Sequence, residues 1–474
     1  MTDERNDEQL EDTTHSALRV LTRRTPVTSG WRAADTVRRT VVVRRRRRWT
    51  ISTAAVLVVA VAAAVSLTTG GSHTAPQAGH PSVANRIDGA VQLVSNAAPI
   101  TNADASAVDQ VVAAEQRLSF ALLNQLGAGS NVSVSPASLY LALGMLQNGA
   151  RGETATQISQ ALQAAGLSTA DQNAGLAGLM SDLDAAAAHD GITLDSANSL
   201  WQDRGFNIRT EFLQALAAYY RTGVWQVDYQ HDMNGAVQAI NDWVSQETHG
   251  NITKLFDQLD PSTVLVLANA IYFHAAWQTP FDKGNTTDGT FTTGAGTPAQ
   301  VKFMSGGHGL QLATGSDYQA VQLPYSGNRF AATVLMPTSG SLADFVHGLS
   351  PTTIDSLAFK PADDCQIELP RFTTTAKLDL KSALQALGMS TAFTDSADLS
   401  GLSQASTKVD QIIQRVYLGV GEKGTTAAAV TGISIVPTSL PSCSVRFDHP
   451  FLFLVRDTQT GAILFASEVQ DPSA

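Results

Sequence analysis

The chain has 474 residues, 43% of them hydrophobic, and a formal net charge of −11. It is too long for one small domain and apolar enough to bury a sizeable core, as one large domain with appendages. Residues 1–48 hold 12 arginines against 7 carboxylates, so the remainder carries 19 basic and 35 acidic residues, a balance that argues against a nucleic-acid-binding surface there.

In chain order, the first 48 residues form a cytoplasmic tail with an acidic start and the pattern HSALRVLTRR. It contains no metal or phosphate motif. Residues 49–69 come next, and from Thr50 to Thr69 no side chain is ionisable over 20 residues. That length suffices for a transmembrane helix at ~1.5 Å per residue. Arg44 to Arg48 stand directly before it, which places the N-terminus in the cytoplasm and everything after the span outside. A cleaved signal peptide is the rival reading, but the charged leader is long for one and the apolar run exceeds the usual core of such peptides. Residues 70–107, rich in Gly, Ser, Ala, Pro, Thr and Asn, read as an extracellular linker.

The folded part is expected over residues 108–474. Helical periodicity runs through VDQVVAAEQRLSFALLNQ (108–125), LYLALGMLQ, ETATQISQALQ, EFLQALAAYY and AVQAINDWVSQ. Strand-like runs follow in VLVLANAIYF, QAVQLPY, FAATVLMP, CQIELPRF, QRVYLGV and FLFLVRD, each bounded by Gly, Pro, Asn or Asp. Helices first and strands later, without βα alternation, point to an α+β fold. Cys365 and Cys443 match no metal-site spacing, and an extracellular location leaves both a disulfide and two separate thiols open.

No GxSxG elbow, HExxH, P-loop or paired-cysteine zinc spacing occurs. Gly419, Gly421 and Gly424 spell GxGxxG, but they precede a Thr/Ala run and a β-branched stretch, where a dinucleotide site needs an apolar helix inside a βαβ unit. Backbone freedom at the base of a mobile loop explains them better.

Glu422 to Ala429 read EKGTTAAA, followed by β-branched residues up to Val436. This stretch resembles the hinge of the reactive-centre loop of serpins. The resemblance continues in NVSVSPASLYLALGMLQNGARGETATQISQAL (Asn131 to Leu162), in LDPSTVLVLANAIYFHAAWQTPFD (Leu259 to Asp282) and in FDHPFLFLVRDTQTGAILFASEV, collinear over about residues 110 to 472. It implies the serpin fold: a helix-rich N-terminal half, three β-sheets and an exposed reactive-centre loop, here preceded by one transmembrane helix, as a bacterial, membrane-anchored member. It implies a hinge at Glu422, Gly424, Thr425, Ala427, Ala428 and Ala429. A shutter is implied at Ser135, Ser138, Asn269 and Gln414, the last a departure from the family's common His. A breach is implied at Trp277 and Arg371, with Arg371 paired to Glu422. Read alone, Ser135 and Ser138 are also candidate helix caps, and Trp277 a plain core aromatic.

By the family's spacing the scissile bond lies between Thr438 and Ser439, with Val436 and Leu440 as alternative registers. A small β-branched residue there suits the shallow apolar pocket of an elastase-like or subtilisin-like serine protease. The implied function is inhibition as a suicide substrate: the target acylates itself on Thr438 and the cut loop inserts into the main sheet as a new strand. Residues Thr425, Ala427, Ala429, Thr431, Ile433 and Ile435 would then face the core, with no charge and no proline among them. The protein would act as a monomer, with no catalytic residues, cofactor, metal or nucleic acid. A non-inhibitory serpin-like binding or sensing module and, more remotely, a hydrolase remain as alternatives.

Overall fold

The computed structural model describes residues 82–100, 104–127, 129–260, 262–306, 309–362, 365–425 and 443–474. Residues 1–48, expected to form a cytoplasmic tail, the apolar span 49–69 and most of the expected reactive-centre loop, 426–442, lie outside the described residues. Among the described residues no helix is long and apolar enough to cross a membrane.

Helices dominate the first half. After β1 (Ser82–Ile87) and β2 (Ala90–Val94) come α1 (Ala105–Leu126), β3 (Val132–Val134), α2 (Pro136–Gly149), α3 (Gly152–Ala161), α4 (Thr169–Asp190), β4 (Thr193–Asp203), α5 (Thr210–Tyr220), β5 (Val224–Val227), α6 (Met233–Glu247) and β6 (Leu265–Ala276). The second half is mostly strand: β7 (Thr287–Thr292), β8 (Pro298–Gly306), β9 (Gln311–Thr314), β10 (Tyr318–Pro324), β11 (Phe330–Pro337), the short helices α7 (Leu342–His347) and α8 (Pro351–Asp355), β12 (Lys360–Pro361), β13 (Cys365–Pro370), β14 (Phe372–Asp379), α9 (Lys381–Ala386), β15 (Gln411–Gly421), β16 (Gly424–Thr425), β17 (Cys443–Arg446), β18 (Phe451–Asp457) and β19 (Ile463–Val469).

Local chemistry sets the helix starts. Asp104 caps α1 by accepting from the Ser106 N–H at 3.0 Å, and Ser168 caps α4 through the Asp171 N–H at 3.1 Å. α2 begins with Ser135 as its cap and Pro136 in the first turn, where a missing N–H costs nothing. α2 is apolar almost all round and is buried along nearly its whole length, so it forms the centre of the molecule rather than a surface helix.

Among the described residues the strands form three sheets. The main sheet has eight strands in the order β1-β2-β5-β4-β6-β16-β15-β14, the second has seven in the order β12-β9-β10-β11-β18-β19-β3, and the third has four in the order β17-β13-β8-β7. The largest core cluster lies between α2, the main sheet and the seven-stranded sheet; it includes Leu267, Ile271 and Phe273 of β6, Ile412 and Val416 of β15, and Phe453 and Phe465. The opposite face of the main sheet is covered by α6, where Trp201 stacks on Trp225 at 5.1 Å and meets Trp243 edge-on at 5.8 Å.

One expectation needs correction. Residues 82–94, read from composition as part of the linker, extend the main sheet as the β1–β2 hairpin, with Val91, Gln92 and Leu93 opposite Gln226, Trp225 and Val224 of β5. Ala90 is buried beneath α6, and Arg204 donates to the Gly89 carbonyl at 2.8 Å. The segment is polar because one face of it stays wet, and its backbone hydrogen bonds hold it to the sheet. It covers the edge that β5 would otherwise expose.

Candidate functional site: the seam between β6 and β15

β6 and β15 are neighbours of an unusual kind in a largely antiparallel sheet. They run parallel, Gln411–Tyr417 lying opposite Val266–Tyr272 over seven residue pairs. Above that ladder the two strands part, and β16 stands between them, antiparallel to both. Gly424 faces Ala276 and Gly421, and Thr425 faces Ala275 and Val420. Gly424 has φ +152°, and a Cβ there would run into the carbonyl of Ala275, so the strand can enter the seam only with glycine at this place.

The middle of the seam is tied by side chains. Gln414 of β15 donates to Asn269 Oδ1 of β6 at 2.6 Å and to the Ser135 carbonyl at 2.9 Å, and its Oε1 accepts from the Ser135 N–H at 2.8 Å. Asn269 donates to Ser138 Oγ at 2.6 Å and to Asn198 Oδ1 of β4. Ser138 Oγ also lies 2.9 Å from Ser196 Oγ. Ser135 has two roles: its Oγ accepts from the Ser138 N–H at 3.4 Å as a helix cap and donates to the Leu464 carbonyl of β19 at 2.7 Å. Ser135, Ser138, Asn269 and Gln414 are all buried to within 1%. The four sequence candidates therefore meet in one group. Sequence reasoning missed Asn198 and Ser196, although Asn198 lies directly across from Asn269 in the β4–β6 ladder. It also missed Ser133, whose hydroxyl donates to Thr374 of β14 at 2.7 Å beside this group.

At the open end of the seam Trp277 is a buried core aromatic and a hydrogen-bond donor at once. Its Nε1 donates to the Gly421 carbonyl at 2.9 Å, its backbone N–H donates to the Lys423 carbonyl at 3.0 Å, and its ring stacks on Tyr325 at 4.5 Å. Tyr325, also missed from sequence, lies 2.5 Å from Thr425 Oγ1, and burial pushes its phenol well above the usual range. Thr425 is fully buried on the core side. Glu422 accepts from Thr286 Oγ1 at 3.0 Å and pairs with Arg371 at 3.4 Å. Burial alone would raise its carboxyl, but hydrogen bonds from its own backbone N–H and from Thr286, with the charge of Arg371, outweigh that and hold it below the usual range.

The strand that follows residues 426–442 is tied covalently. Cys365 and Cys443, left open by the sequence, form a disulfide joining β13 to β17 at residues that face each other in the ladder. Ala427, Ala428, Ala429, Thr438 and Ser439 lie outside the described residues. Among the described residues no cluster of His, Cys, Asp or Glu is arranged to hold a metal ion.

Comparison with known proteins gives this architecture its place. The family profile described as serpin (serine protease inhibitor) matches residues 113–472. Iripin-2 of the tick Ixodes ricinus is 36% identical over 376 residues, covering 75% of this chain and 92% of its own. Mouse alpha-1-antitrypsin 1-1 is 32% identical, covering 73% and 84% respectively. Among solved structures, tengpin, a thermophilic serpin in its native state, superposes with a TM-score of 0.71 at 27% identity, covering 79% of this chain and 97% of its own. Human thyroxine-binding globulin does so with a TM-score of 0.69 at 26% identity, covering 77% and 99%. With the family profile spanning most of the chain, and with a relative more than one-third identical over three-quarters of it, the chain belongs to the serpin family.

Proposed function

We propose that this serpin is a suicide-substrate inhibitor of an extracellular serine protease, held on the producing cell by residues 49–69 with its N-terminal tail in the cytoplasm. The single observation that carries the reading is β16, two residues of the chain already lodged at the top of the seam and antiparallel to both neighbours. A longer strand can follow in the same sense if only the parallel ladder below gives way.

The register makes the consequence specific. Continued residue by residue from the pairs that Gly424 and Thr425 make, Thr431 comes level with Asn269 and Gln414, and Ile435 with Leu265 and Asp410 at the far end of both strands. Thr431 would thus arrive with a hydroxyl where the Gln414–Asn269 hydrogen bond must break, so neither amide is left without a partner. The inward series Thr425 to Ile435 fills the whole seam, and Pro437, which has no N–H for a ladder, falls just beyond it. A cut between Thr438 and Ser439 frees a strand of the required length. The protease serine would attack the Thr438 carbonyl, expel the Ser439 amine and remain as an acyl-enzyme. Insertion would then carry it the length of the sheet. The small residue at Thr438 favours elastase-like or subtilisin-like targets.

The test mixes the full-length protein with proteases of both types on a denaturing gel. A boiling-resistant band at the combined mass, with the released C-terminal peptide beginning at Ser439 by mass spectrometry, is the expected result. Thr425→Arg puts a guanidinium against Ala275 and Tyr325 and abolishes that band while leaving the loop cleavable. Complete cleavage with no band for any protease, and no rise in melting temperature, would instead favour the non-inhibitory binding or sensing module.

A further inference from the structure

We propose that Asp195, Glu247 and His249 form a proton-operated latch: protonation in acid fastens the C-terminal end of α6 to the outer face of the main sheet, and deprotonation above neutral pH releases it. The proposal stands apart from the insertion reading, since it concerns only α6, the turn after it and the strands beneath.

Geometry brings the three groups together. Asp195 of β4 stands opposite Tyr272 of β6, which stands opposite Tyr417 of β15, so these side chains cross the outer face of the sheet in one row. α6 packs on that face through Ala197, Ala268, Ala270 and Ile413 and ends at Glu247. The backbone then turns sharply. Thr248 is fully buried, its hydroxyl donates to the Val244 carbonyl at 2.7 Å and accepts from the Ile252 N–H at 3.1 Å, and His249 takes a left-handed φ of +51°. Beyond that turn the imidazole points back at the sheet, where its Nε2 lies 3.1 Å from Asp195 Oδ2. Asn251 of the same turn meets the Tyr272 phenol.

Two carboxyls and one imidazole are thus crowded at the negative end of a helix dipole. Loss of surrounding water raises the Asp195 carboxyl, against the charge and hydrogen bond of His249. The same loss, and then the charge of Asp195, raises the Glu247 carboxyl, again against His249. Each carboxyl therefore holds a proton more readily when docked than when free. Its contribution to docking is complete below the free value and lost as pH rises through the raised one. Histidine is the side chain that gains a charge across physiological pH, and here that cation faces both Asp195 and the helix end. All three changes have one sign: acid tightens the end of α6 and base loosens it. The neighbours on the same face are the phenols of Tyr272 and Tyr417, His274 two residues along β6 and Arg415 two residues back along β15. Lys254 of the following loop pairs with Asp257 instead, at 2.5 Å.

The experiment follows hydrogen exchange by mass spectrometry in the full-length protein at pH 5.5, 6.5 and 8, reading a peptide over residues 243–252 after correction for the intrinsic pH dependence of exchange. The parent should open this segment about 10-fold more often at pH 8 than at pH 5.5, the effect of one half-exposed ion pair together with a cation at a helix C-terminus. Asp195→Asn removes the group on which both others act and should bring that ratio to within about 2-fold. A loss of packing alone would raise opening equally at every pH. Where that variant does not fold, His249→Gln, whose side chain is 66% exposed, should at least halve the ratio. His274→Gln should leave it as in the parent. A flat parent profile, an undiminished ratio in the Asp195 or His249 variant, or a ratio lost in the His274 variant would overturn the proposal.

Discussion

Adjacent residues of β19 hold two buried polar groups of opposite kind. The Leu464 carbonyl accepts from Ser135 and so belongs to the network that ties Gln414 to Asn269 across the seam. The Ile463 N–H donates to Glu115 of α1 at 3.1 Å, and Ser119 donates to the same carboxyl at 3.0 Å. The seam uses amides and hydroxyls, each able both to donate and to accept, so strands can part and partners exchange without stranding a buried group. The α1 site uses a carboxyl that is 1% exposed, and its burial raises it to about 8, against the opposing pull of the Ile463 N–H, Ser119 and the charge of Arg456. A titratable group is tolerated where α1 and β19 stay together and would be an obstacle at a seam that opens as proposed above. The two sites differ in what each interface is asked to do.

Glu115→Gln breaks the contrast most strongly. Its folded value lies above its unfolded one, so the fold holds a proton that the unfolded chain releases. The stabilisation is complete below the unfolded value and disappears as pH rises through about 8. The parent should therefore lose up to about 4 kcal/mol relative to the glutamine variant between pH 5 and pH 8, at ~1.4 kcal/mol per pH unit. Denaturant midpoints across that range check it, and parallel profiles for the two proteins would refute a buried titrating carboxyl.

Asn269→Ala probes the other site. It leaves Gln414, Ser138 and Asn198 each short of a partner, at a cost of about 1–3 kcal/mol. That loss should be the same at pH 5 and pH 8, since no titratable side chain takes part in the network. A pH-dependent loss would tie the two sites into one unit. Arg371→Ala has the smallest effect. Arg371 is 45% exposed in its pair with Glu422, and stability should fall by no more than about 1 kcal/mol. A larger loss, read as a shift in melting temperature, would make the pair a structural clamp on the end of the seam.

Much of this was legible in the amino-acid order. The periodic segments became helices and strands close to where the pattern put them, as in 108–125, which lies within α1 at Ala105–Leu126. The candidates Ser135, Ser138, Asn269 and Gln414 were found through motifs. Their partners Asn198 and Ser196, and Tyr325 beside Trp277 and Thr425, were not, because each is brought in from a distant part of the chain and carries no local mark. Asn198 is 71 residues from Asn269. The hairpin at 82–94 escaped for a related reason: a wet edge strand needs backbone pairing more than apolar side chains, and composition registers only the side chains.

By itself the sequence determined whatever is local or periodic. Ser135 caps α2 because its hydroxyl is three residues from the N–H it must satisfy, and the run from Gly424 to Ala429 is small because side chains were kept off it. The tertiary structure alone decided what depends on distant backbone arriving in register. Cys365 and Cys443 are 78 residues apart and pair only because β13 and β17 align them, and β6 and β15 form a seam only because the long connection between them returns the chain to lie parallel beside β6. Side-chain chemistry is written along the chain, but the hydrogen-bond register that gives it a partner is a property of the assembled sheet.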